Sequence, residues 1–140
     1  MSRVWVHLHG KPSEGPAARM IDTYHERLKS EGVRLVIHPE VDVANYLERL
    51  EKAAGDGILL LLDEAGEEFS SEEFADELKR WRLATRPTHL AIGPAEGFPK
   101  SSHRRISMSR MTLPHDLAAV VLIEQLYRAH EILSGSRYHR

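Results

Sequence analysis

An uninterrupted apolar run near the middle of this 140-residue chain limits its fold more than any other feature. Residues 58–62 are one isoleucine and four leucines, with Gly57 before them and Asp63 after them. A run this short, apolar and sharply bounded is typical of a strand that helices cover on both faces. Such strands belong to parallel sheets, because the crossover connections place helices on both sides of the sheet. The run therefore predicts an α/β protein.

Strand-like and helix-like patterns alternate along the rest of the chain. Strands are predicted at 4–8, 33–38, 88–92 and about 105–109, and helices over about 17–28, 42–54, 70–81 and 115–133. The third helix has a recognisable start, since Ser70 and Glu73 have the spacing of a capping box. Alternating units of this size predict one domain over residues 1–140, with a parallel sheet between helix layers.

The last helix carries more apolar surface than a single subunit needs. Residues 117–123 are apolar at seven successive positions, so every face of two helical turns is apolar. A helix that packs on one side only needs a single apolar stripe. The excess predicts a second subunit against this helix, most simply across a two-fold axis in a homodimer. The alternative is a helix that is fully covered within a monomer, which is harder to arrange in a chain of this length.

Composition excludes several classes of function. The chain has no cysteine, which excludes a disulfide framework, a thiolate metal site and a cysteine nucleophile. Its histidines do not show the spacing of metal ligands: we expect packing or surface roles for His7 and His9, and helix-surface positions for His25 and His130. No apolar run approaches the roughly 18 residues of a membrane span, and no leader pattern opens the chain. We therefore expect a soluble, cytoplasmic protein with no metal and no membrane partner.

Charge is unevenly divided along the chain, although its net value is only −2. Residues 1–78 hold 8 Lys and Arg against 17 Asp and Glu, whereas residues 79–140 hold 11 against 4. Such a chain can present a basic face to nucleic-acid phosphates while it stays soluble. Chance clustering is the alternative.

Three loops at predicted strand ends are the candidate ligand site. They cover residues 62–66, 92–99 and 108–115. Ligands of open parallel sheets collect at the carboxyl ends of the strands, and glycines let the backbone approach a ligand closely. The loops predict a nucleotide-like pocket, although no GxGxxG or P-loop fingerprint accompanies them. Asp63, at the end of the apolar run, has either a functional or a turn-capping role.

The chain ends Arg137-Tyr138-His139-Arg140. An aromatic ring, an imidazole and two guanidinium groups are the mixture that stacks on bases and holds phosphates. Terminal residues are, however, often frayed and dispensable. The residue types alone leave both interpretations open.

The C-terminal third of the sequence resembles one known family. The segments that carry the resemblance are MSRMTLPH at 108–115, VVLIEQ at 120–125, LYRA at 126–129 and the final YHR at 138–140. They resemble the 23S rRNA (pseudouridine-N3)-methyltransferases, which belong to the SPOUT superfamily of knotted α/β methyltransferases. Residues 62–63, 92–93 and 96–97 fall in the family's order, so the resemblance extends over essentially the whole chain.

The resemblance implies a fold, a cofactor and a substrate. The fold is a SPOUT-type parallel sheet between helices, with a C-terminal trefoil knot, in a homodimer whose active sites lie at the subunit interface. The cofactor is S-adenosylmethionine, and the substrate is N3 of a pseudouridine in the large-subunit ribosomal RNA of an assembled ribosome. The positions that match the family's cofactor-binding residues are Leu62, Gly93, Met108, Ser109, Arg110, Met111, Thr112 and Leu113.

Roles for the tail follow from this match together with its residue types. The N3 proton must leave during methylation, and a neutral histidine is a suitable acceptor near pH 7. We therefore expect His139 to accept the proton, Tyr138 to stack on the base, and Arg128 and Arg140 to contact phosphate.

Two departures from the family pattern support an alternative. Pro94 stands where the family usually carries a second glycine, and proline has no N–H to offer a cofactor. The chain is also shortened near residues 39–42. The alternative is a non-catalytic relative that binds the ribosome or RNA and has a weakened cofactor loop. A weaker third interpretation is a flavodoxin-like ligand-binding domain.

Overall fold

The computed structural model describes residues 3–13 and 15–139. In chain order the elements are β1 (Val4–His9), α1 (Gly15–Leu28), β2 (Val33–His38), α2 (Val43–Ala54), β3 (Ile58–Glu68), α3 (Ser71–Leu83), β4 (Thr88–Ala91), β5 (Arg104–Ser107) and α4 (His115–Ser134). A turn of 3-10 helix, Lys29–Glu31, joins α1 to β2. The predicted order of strands and helices is confirmed. Within the described ranges, no helix is both long enough and apolar enough to cross a membrane.

The strands form one parallel sheet in the order β2-β1-β4-β3-β5. Residues of α1, α3 and α4 pack on one face of the sheet, and α2 packs on the other. The apolar run in β3 serves both layers, since Leu60 belongs to the first core while Leu59 and Leu61 belong to the second. The prediction of a strand covered on both faces, and with it the α/β class, is confirmed.

Side-chain caps fix where two of the helices begin. The Asp42 carboxylate accepts a hydrogen bond from the N–H of Asn45 at 2.8 Å, at the start of α2. At the start of α3, Ser70 and Glu73 form the predicted capping box, with each side chain accepting from the other residue's N–H. A cap of this kind stabilises a helix by about 1 kcal/mol. The start of α3 was readable from the sequence for this reason.

β3 is longer than predicted and is interrupted where it passes β5. Leu62 and Glu67 are both register partners of Ile106, so the four residues between them leave the ladder. Gly66 in this interruption lies directly against the β5 backbone, and a Cβ there would be 2.7 Å from the carbonyl carbon of Arg105 and from two backbone atoms of Ile106. Since a side chain has no room at this approach, position 66 requires glycine.

The chain itself covers much of α4. Of the apolar segment 117–123, Ala119, Val120, Leu122 and Ile123 are buried, whereas Leu117 remains 45% exposed. His130, further along the helix, is also buried, so its predicted helix-surface position is wrong. The reason is that α4 packs against both α1 and α3. Burial lowers the pKa of His130 to about 4.

Three buried histidines connect the strands β2, β1 and β4. His7 Nδ1 lies 2.8 Å from His38 Nε2, and His7 Nε2 lies 2.8 Å from His89 Nδ1. Burial lowers the pKa of His7 to about 3, so the ring is neutral and can donate through one nitrogen and accept through the other. The carbonyl oxygen of His7 accepts from the N–H of Ile92 at 2.9 Å. The packing role expected for His7 is confirmed, and this cluster supports the loop that begins at Ile92.

Candidate active site

A cleft of about 260 Å³ opens at the carboxyl ends of β4 and β5 and at the interruption of β3, beside the start of α4. Its walls are residues 62–64, 92–98, 108–109 and 111–113, together with His115 and Ala118 of α4. All of these residues except Ala118 belong to the three loops that the sequence singled out. The strand order explains their meeting, because β4 and β5 are the two neighbours of β3 and both end beside its interruption.

Seven of the eight residues that match the family's cofactor-binding positions line this cleft. They are Leu62, Gly93, Met108, Ser109, Met111, Thr112 and Leu113. The eighth, Arg110, points elsewhere: its side chain is 79% exposed, and its Nε lies 3.7 Å from the Glu68 carboxylate. A pair this exposed contributes little to stability.

The second loop turns sharply directly after β4. The carbonyl oxygen of Pro94 accepts from the N–H of Gly97 at 2.8 Å, and Gly97 has a φ of +77°, which glycine adopts without strain. Pro94 itself is buried in the cleft wall. The Phe98 ring closes over Gly93, where a Cβ would lie 3.0 Å from Cε2 of that ring. Gly93 therefore keeps this part of the cleft open.

Asp63 caps a turn and also forms an ion pair. Its Oδ1 accepts from the N–H of Ala65 at 2.9 Å, and its Oδ2 accepts from Arg105 Nη1 at 2.5 Å. The hydrogen bond from the Ala65 N–H lowers the pKa of this carboxyl most, and Arg105 lowers it further. Asp63 is therefore ionised at neutral pH. Of the two roles left open by the sequence, the turn-capping role is observed.

The third loop is tied to the first. The Thr112 hydroxyl donates to the Glu64 carboxylate at 2.5 Å. Within the third loop, the Ser107 hydroxyl donates to the carbonyl oxygen of Ser109 at 2.8 Å, and the Ser109 N–H lies 3.2 Å from the Ser107 Oγ. The loops that form the cleft are thus connected to one another by side chains.

Tyr138 and Arg128 come together on α4. The Tyr138 hydroxyl donates to Glu124 at 2.8 Å, and the Tyr138 ring packs edge-on against Tyr127. The Arg128 guanidinium lies 5.0 Å from the centre of the Tyr138 ring and pairs with Glu124 at 2.8 Å. The tail therefore turns back along α4 after Gly135, and its aromatic ring is half-buried there.

His139 lies between a cation and an anion. Its Nδ1 is 3.1 Å from Arg128 Nη1, and its Nε2 is 3.2 Å from the Glu72 carboxylate at the start of α3. A guanidinium can only donate, so Nδ1 is the accepting nitrogen and Nε2 carries the proton that is donated to Glu72. The pKa of Glu72 is lowered by its own N–H and by His139.

The predicted tail residues do not reach the cleft of their own chain. Arg128, Tyr138 and His139 are absent from its walls, and Arg140 lies outside the described residues. One chain thus brings seven of the eight predicted cofactor residues together and, separately, three of the four predicted catalytic and substrate residues.

The sequence did not predict Arg105, nor the role of Glu64, within the first candidate loop, as a link between loops. Arg105 lies 42 positions from its partner Asp63, and Glu64 lies 48 positions from Thr112. Local patterns do not reveal pairs so distant in sequence. A hint was available for Arg105, because a charged residue inside a short strand beside an apolar neighbour requires a partner.

Within residues 3–13 and 15–139, no three His, Asp or Glu side chains are grouped in a way that could hold a metal ion.

Comparison with known proteins extends over nearly the whole chain. A family model described as "Predicted SPOUT methyltransferase" matches residues 3–139. Ribosomal RNA large subunit methyltransferase H of Cereibacter sphaeroides is 40% identical over 147 aligned residues, which cover 94% of each chain. The protein of the same name from Koribacter versatilis is 38% identical over 145 residues, covering 97% of this chain and 94% of that one.

A solved structure supports the architecture separately. The crystal structure of TrmJ from Z. mobilis superposes with a TM-score of 0.50 at 10% sequence identity, over 92% of this chain and 70% of that one. At this identity the likeness concerns the fold alone. The sequence matches decide the family: because they span almost all of the chain and not an isolated motif, the protein belongs to the SPOUT methyltransferase family.

Proposed function

We propose that this protein transfers the methyl group of S-adenosylmethionine to N3 of a pseudouridine in the ribosomal RNA of the large subunit, within the cytoplasm. The observation that carries the proposal is the convergence of three distant loops, at the positions that match the family, on a single cleft. The relatives at 38–40% identity are named large-subunit ribosomal RNA methyltransferases, which favours ribosomal RNA as the acceptor.

The residues of the cleft fit S-adenosylmethionine. The volume of about 260 Å³ is close to the lower end of the range for small-molecule sites, roughly 300–1,000 Å³. Leu62, Met108 and Leu113 provide apolar walls for an adenine ring. Glu64 lines the same cleft, and its negative charge favours the positive charge that the methyl donor carries, whereas Arg105 balances the charge of Asp63.

Most of the catalytic effect is expected from positioning. When bound, S-adenosylmethionine supplies a methyl group that its sulfonium charge has already activated. The loops of this chain hold the donor in one orientation, and correct alignment of two reactants can lower a barrier by roughly 7–11 kcal/mol.

The tail is proposed to hold the acceptor base and take its proton. Tyr138 stacks on the base, Arg128 and Arg140 contact phosphate, and His139 accepts the proton from N3. In the described arrangement Arg128 occupies Nδ1 of His139. If Arg128 turns instead to an RNA phosphate, Nδ1 becomes free to act as a base, so binding of RNA and activation of His139 are coupled.

We propose a homodimer in which each tail serves the partner's cleft. The described tail residues lie away from the cleft of their own chain, so a complete site needs a tail from elsewhere. Large apolar side chains are exposed around α1, the third loop and α4, namely Met20 (45%), Met111 (78%) and Leu117 (45%). A second subunit would remove this apolar surface from water.

The trefoil knot also belongs to the proposal. It rests on the family match over residues 3–139, since threaded chains are otherwise rare.

The test is methyl transfer to ribosomes that lack the modification. Purified protein and radiolabelled S-adenosylmethionine are incubated with ribosomes from a strain in which the gene is deleted, and the modified base is mapped. The proposal expects label on one pseudouridine of the large-subunit RNA, at N3. Label on another nucleotide or on no RNA at all would contradict it.

A non-catalytic RNA-binding relative is the second candidate, and Pro94 is the observation that favours it. The proline lies buried in the cleft wall, and its ring takes the place of an N–H donor. This candidate expects no saturable heat when S-adenosylmethionine is titrated into the protein, together with intact binding to ribosomes. Saturable binding of the methyl donor decides for the enzyme.

A further inference from the structure

The connection from β4 to β5, residues 92–103, forms one wall of the cleft without a helix of its own. β4 and β5 lie on opposite sides of β3 in the sheet, so this connection has to cross β3. Crossovers between parallel strands usually contain a helix, whose backbone hydrogen bonds make the crossover rigid. Here the loop depends for its shape on contacts made by side chains.

Arg105, the second residue of β5, makes several of these contacts. Its guanidinium donates to the carbonyl oxygens of Phe98, at 3.3 Å, and of Pro99, and its Nη2 lies 3.5 Å from the Ser101 hydroxyl. The same guanidinium donates to Asp63 in the first loop at 2.5 Å. The side chains of Arg105 and Asp63 are only 18% and 22% exposed, so solvent screens their attraction only in part.

The other observed contacts of residues 92–103 do not connect this second loop to the first loop. The turn from Pro94 to Gly97 is internal to the loop. The Phe98 ring stacks on Tyr46 of α2. His103 lies 2.7 Å from Glu51, also of α2. These contacts hold the loop to itself or to the helix beneath it, whereas Arg105 joins it to the first loop.

We infer that Arg105 is a positioning residue of the cleft, which fixes the second loop relative to the first and thereby sets the affinity for the methyl donor. The inference rests on the proposed function. A loop that is held in place before binding loses less conformational entropy when the ligand arrives. Arginine suits this role because its planar group donates to a carboxylate and to carbonyl oxygens at once, which the single ammonium of lysine cannot do.

The experiment compares Arg105→Gln and Arg105→Lys with the wild-type protein by calorimetric titration with S-adenosylhomocysteine. We expect Kd to rise about 10- to 100-fold for the glutamine variant and less for the lysine variant. The single-turnover rate at saturating donor is expected to change less than about threefold, because Arg105 touches no reacting atom. Asp63→Asn should weaken binding similarly, and the double variant less than additively.

Arg104 provides a matched control in the same strand. Its guanidinium donates to Glu67 at 2.8 Å and to the buried Glu77 at 2.9 Å, both outside the cleft. Arg104→Gln is expected to lower the melting temperature and to leave Kd unchanged. If Arg104→Gln weakens binding as much as Arg105→Gln does, the effect comes from general destabilisation and the inference is overturned.

Hydrogen exchange of the protein without any ligand separates this inference from the proposed function. Amides of residues 92–103 are expected to exchange at least about tenfold faster in Arg105→Gln, with α2 unaffected. Unchanged exchange overturns the inference, whatever the protein binds. A wild-type protein that binds no S-adenosylhomocysteine would overturn the proposed function, while the exchange result would still judge the role of Arg105.

Discussion

The cofactor residues and the tail residues of this protein are organised in opposite ways. The cofactor residues come from loops far apart in sequence, and the sheet brings seven of the eight to one cleft. The tail residues are close together in sequence, but they lie against α3 and α4, away from that cleft. One chain thus gathers the positions that match the family's cofactor residues in one cleft and holds the tail residues elsewhere. Under the proposed function, the donor would bind within one subunit and the acceptor site would need the partner's tail.

The largest expected effect comes from closing the cleft at Gly93. A Cβ at this position would lie 3.0 Å and 3.1 Å from two carbons of the Phe98 ring, and a valine adds two further carbons. Because the ring must move or the cleft must fill, Gly93→Val should weaken S-adenosylhomocysteine binding at least about 100-fold. Calorimetry measures this. Ala53→Val on the exposed side of α2 is the control, and equal losses in both variants would refute the assignment of Gly93 to the cleft.

His139→Ala should lower the rate of methyl transfer and leave the affinity for the donor unchanged, whereas Gly93→Val should lower that affinity. A general base contributes about 10²- to 10⁴-fold to rate, so the single-turnover rate of methyl transfer should fall at least about 100-fold. Affinity for S-adenosylhomocysteine should stay unchanged, since His139 is absent from the cleft walls. His25→Ala, on α1, is the control. An unchanged rate would show that another group, or water, accepts the proton.

Mild acid should weaken the histidine cluster of β1, β2 and β4 before it weakens the contacts of the tail. The pKa of His7 is lowered from 6.5 to about 3 in the folded protein. Between these two pH values His7 is protonated in the unfolded chain and neutral in the folded protein. The free energy of unfolding therefore has its full value above pH 6.5 as far as His7 is concerned. Below pH 6.5 it falls by about 1.4 kcal/mol per pH unit. His130, with a pKa of about 4, adds to the slope in the same direction. The pKa of Glu72, which holds the tail, is lowered, so this carboxylate stays ionised.

Urea unfolding at pH 7.0 and pH 5.5 measures this loss. His7→Gln, which keeps hydrogen-bonding groups but does not titrate, should flatten the slope. A slope that is identical in the variant would mean that His7 is not the group responsible.

Mixed dimers test directly whether the tail serves the partner. Gly93→Val and His139→Ala are each expected to be inactive as homodimers. When they are mixed and allowed to exchange subunits, half of the dimers carry one intact cleft facing one intact tail. About a quarter of the wild-type rate should return. No recovery, with subunit exchange verified by mass spectrometry, would place the tail with its own cleft.

The sequence was sufficient for the scaffold because local signals there agree with the tertiary structure. The run 58–62 predicts a strand that is covered on both faces, and Ser70 with Glu73 predicts the start of α3. The resemblance to a family supplied the positions of the cleft residues, which residue types alone left as a nucleotide-like pocket. His130 was misplaced because periodicity does not show that two helices cover α4.

The connections between the loops were beyond sequence reasoning for a different reason. Arg105 with Asp63 and Thr112 with Glu64 are pairs that exist only once β3, β4 and β5 lie side by side. The three-histidine cluster has the same origin, because His7, His38 and His89 come from three strands. Side chains that fasten the site depend on the register of the sheet, and single-sequence patterns carry no information about register between distant strands.

Pro94→Gly should have the smallest effect of these substitutions. It should raise the affinity of the cleft for the donor slightly and leave the tail unaffected. The substitution restores an N–H at the cleft wall, and one additional hydrogen bond of about 0.5–1.5 kcal/mol would tighten S-adenosylhomocysteine binding roughly two- to tenfold. Glycine also frees the unfolded chain, so the free energy of unfolding should fall by about 0.4–1 kcal/mol. Affinity and stability then move in opposite directions, which general loosening of the loop cannot produce. The single-turnover rate at saturating donor should stay the same, because the tail is unaffected. Weaker binding in this variant would mean that the proline ring itself shapes the pocket, and that its rigidity contributes more to donor binding than the missing N–H would.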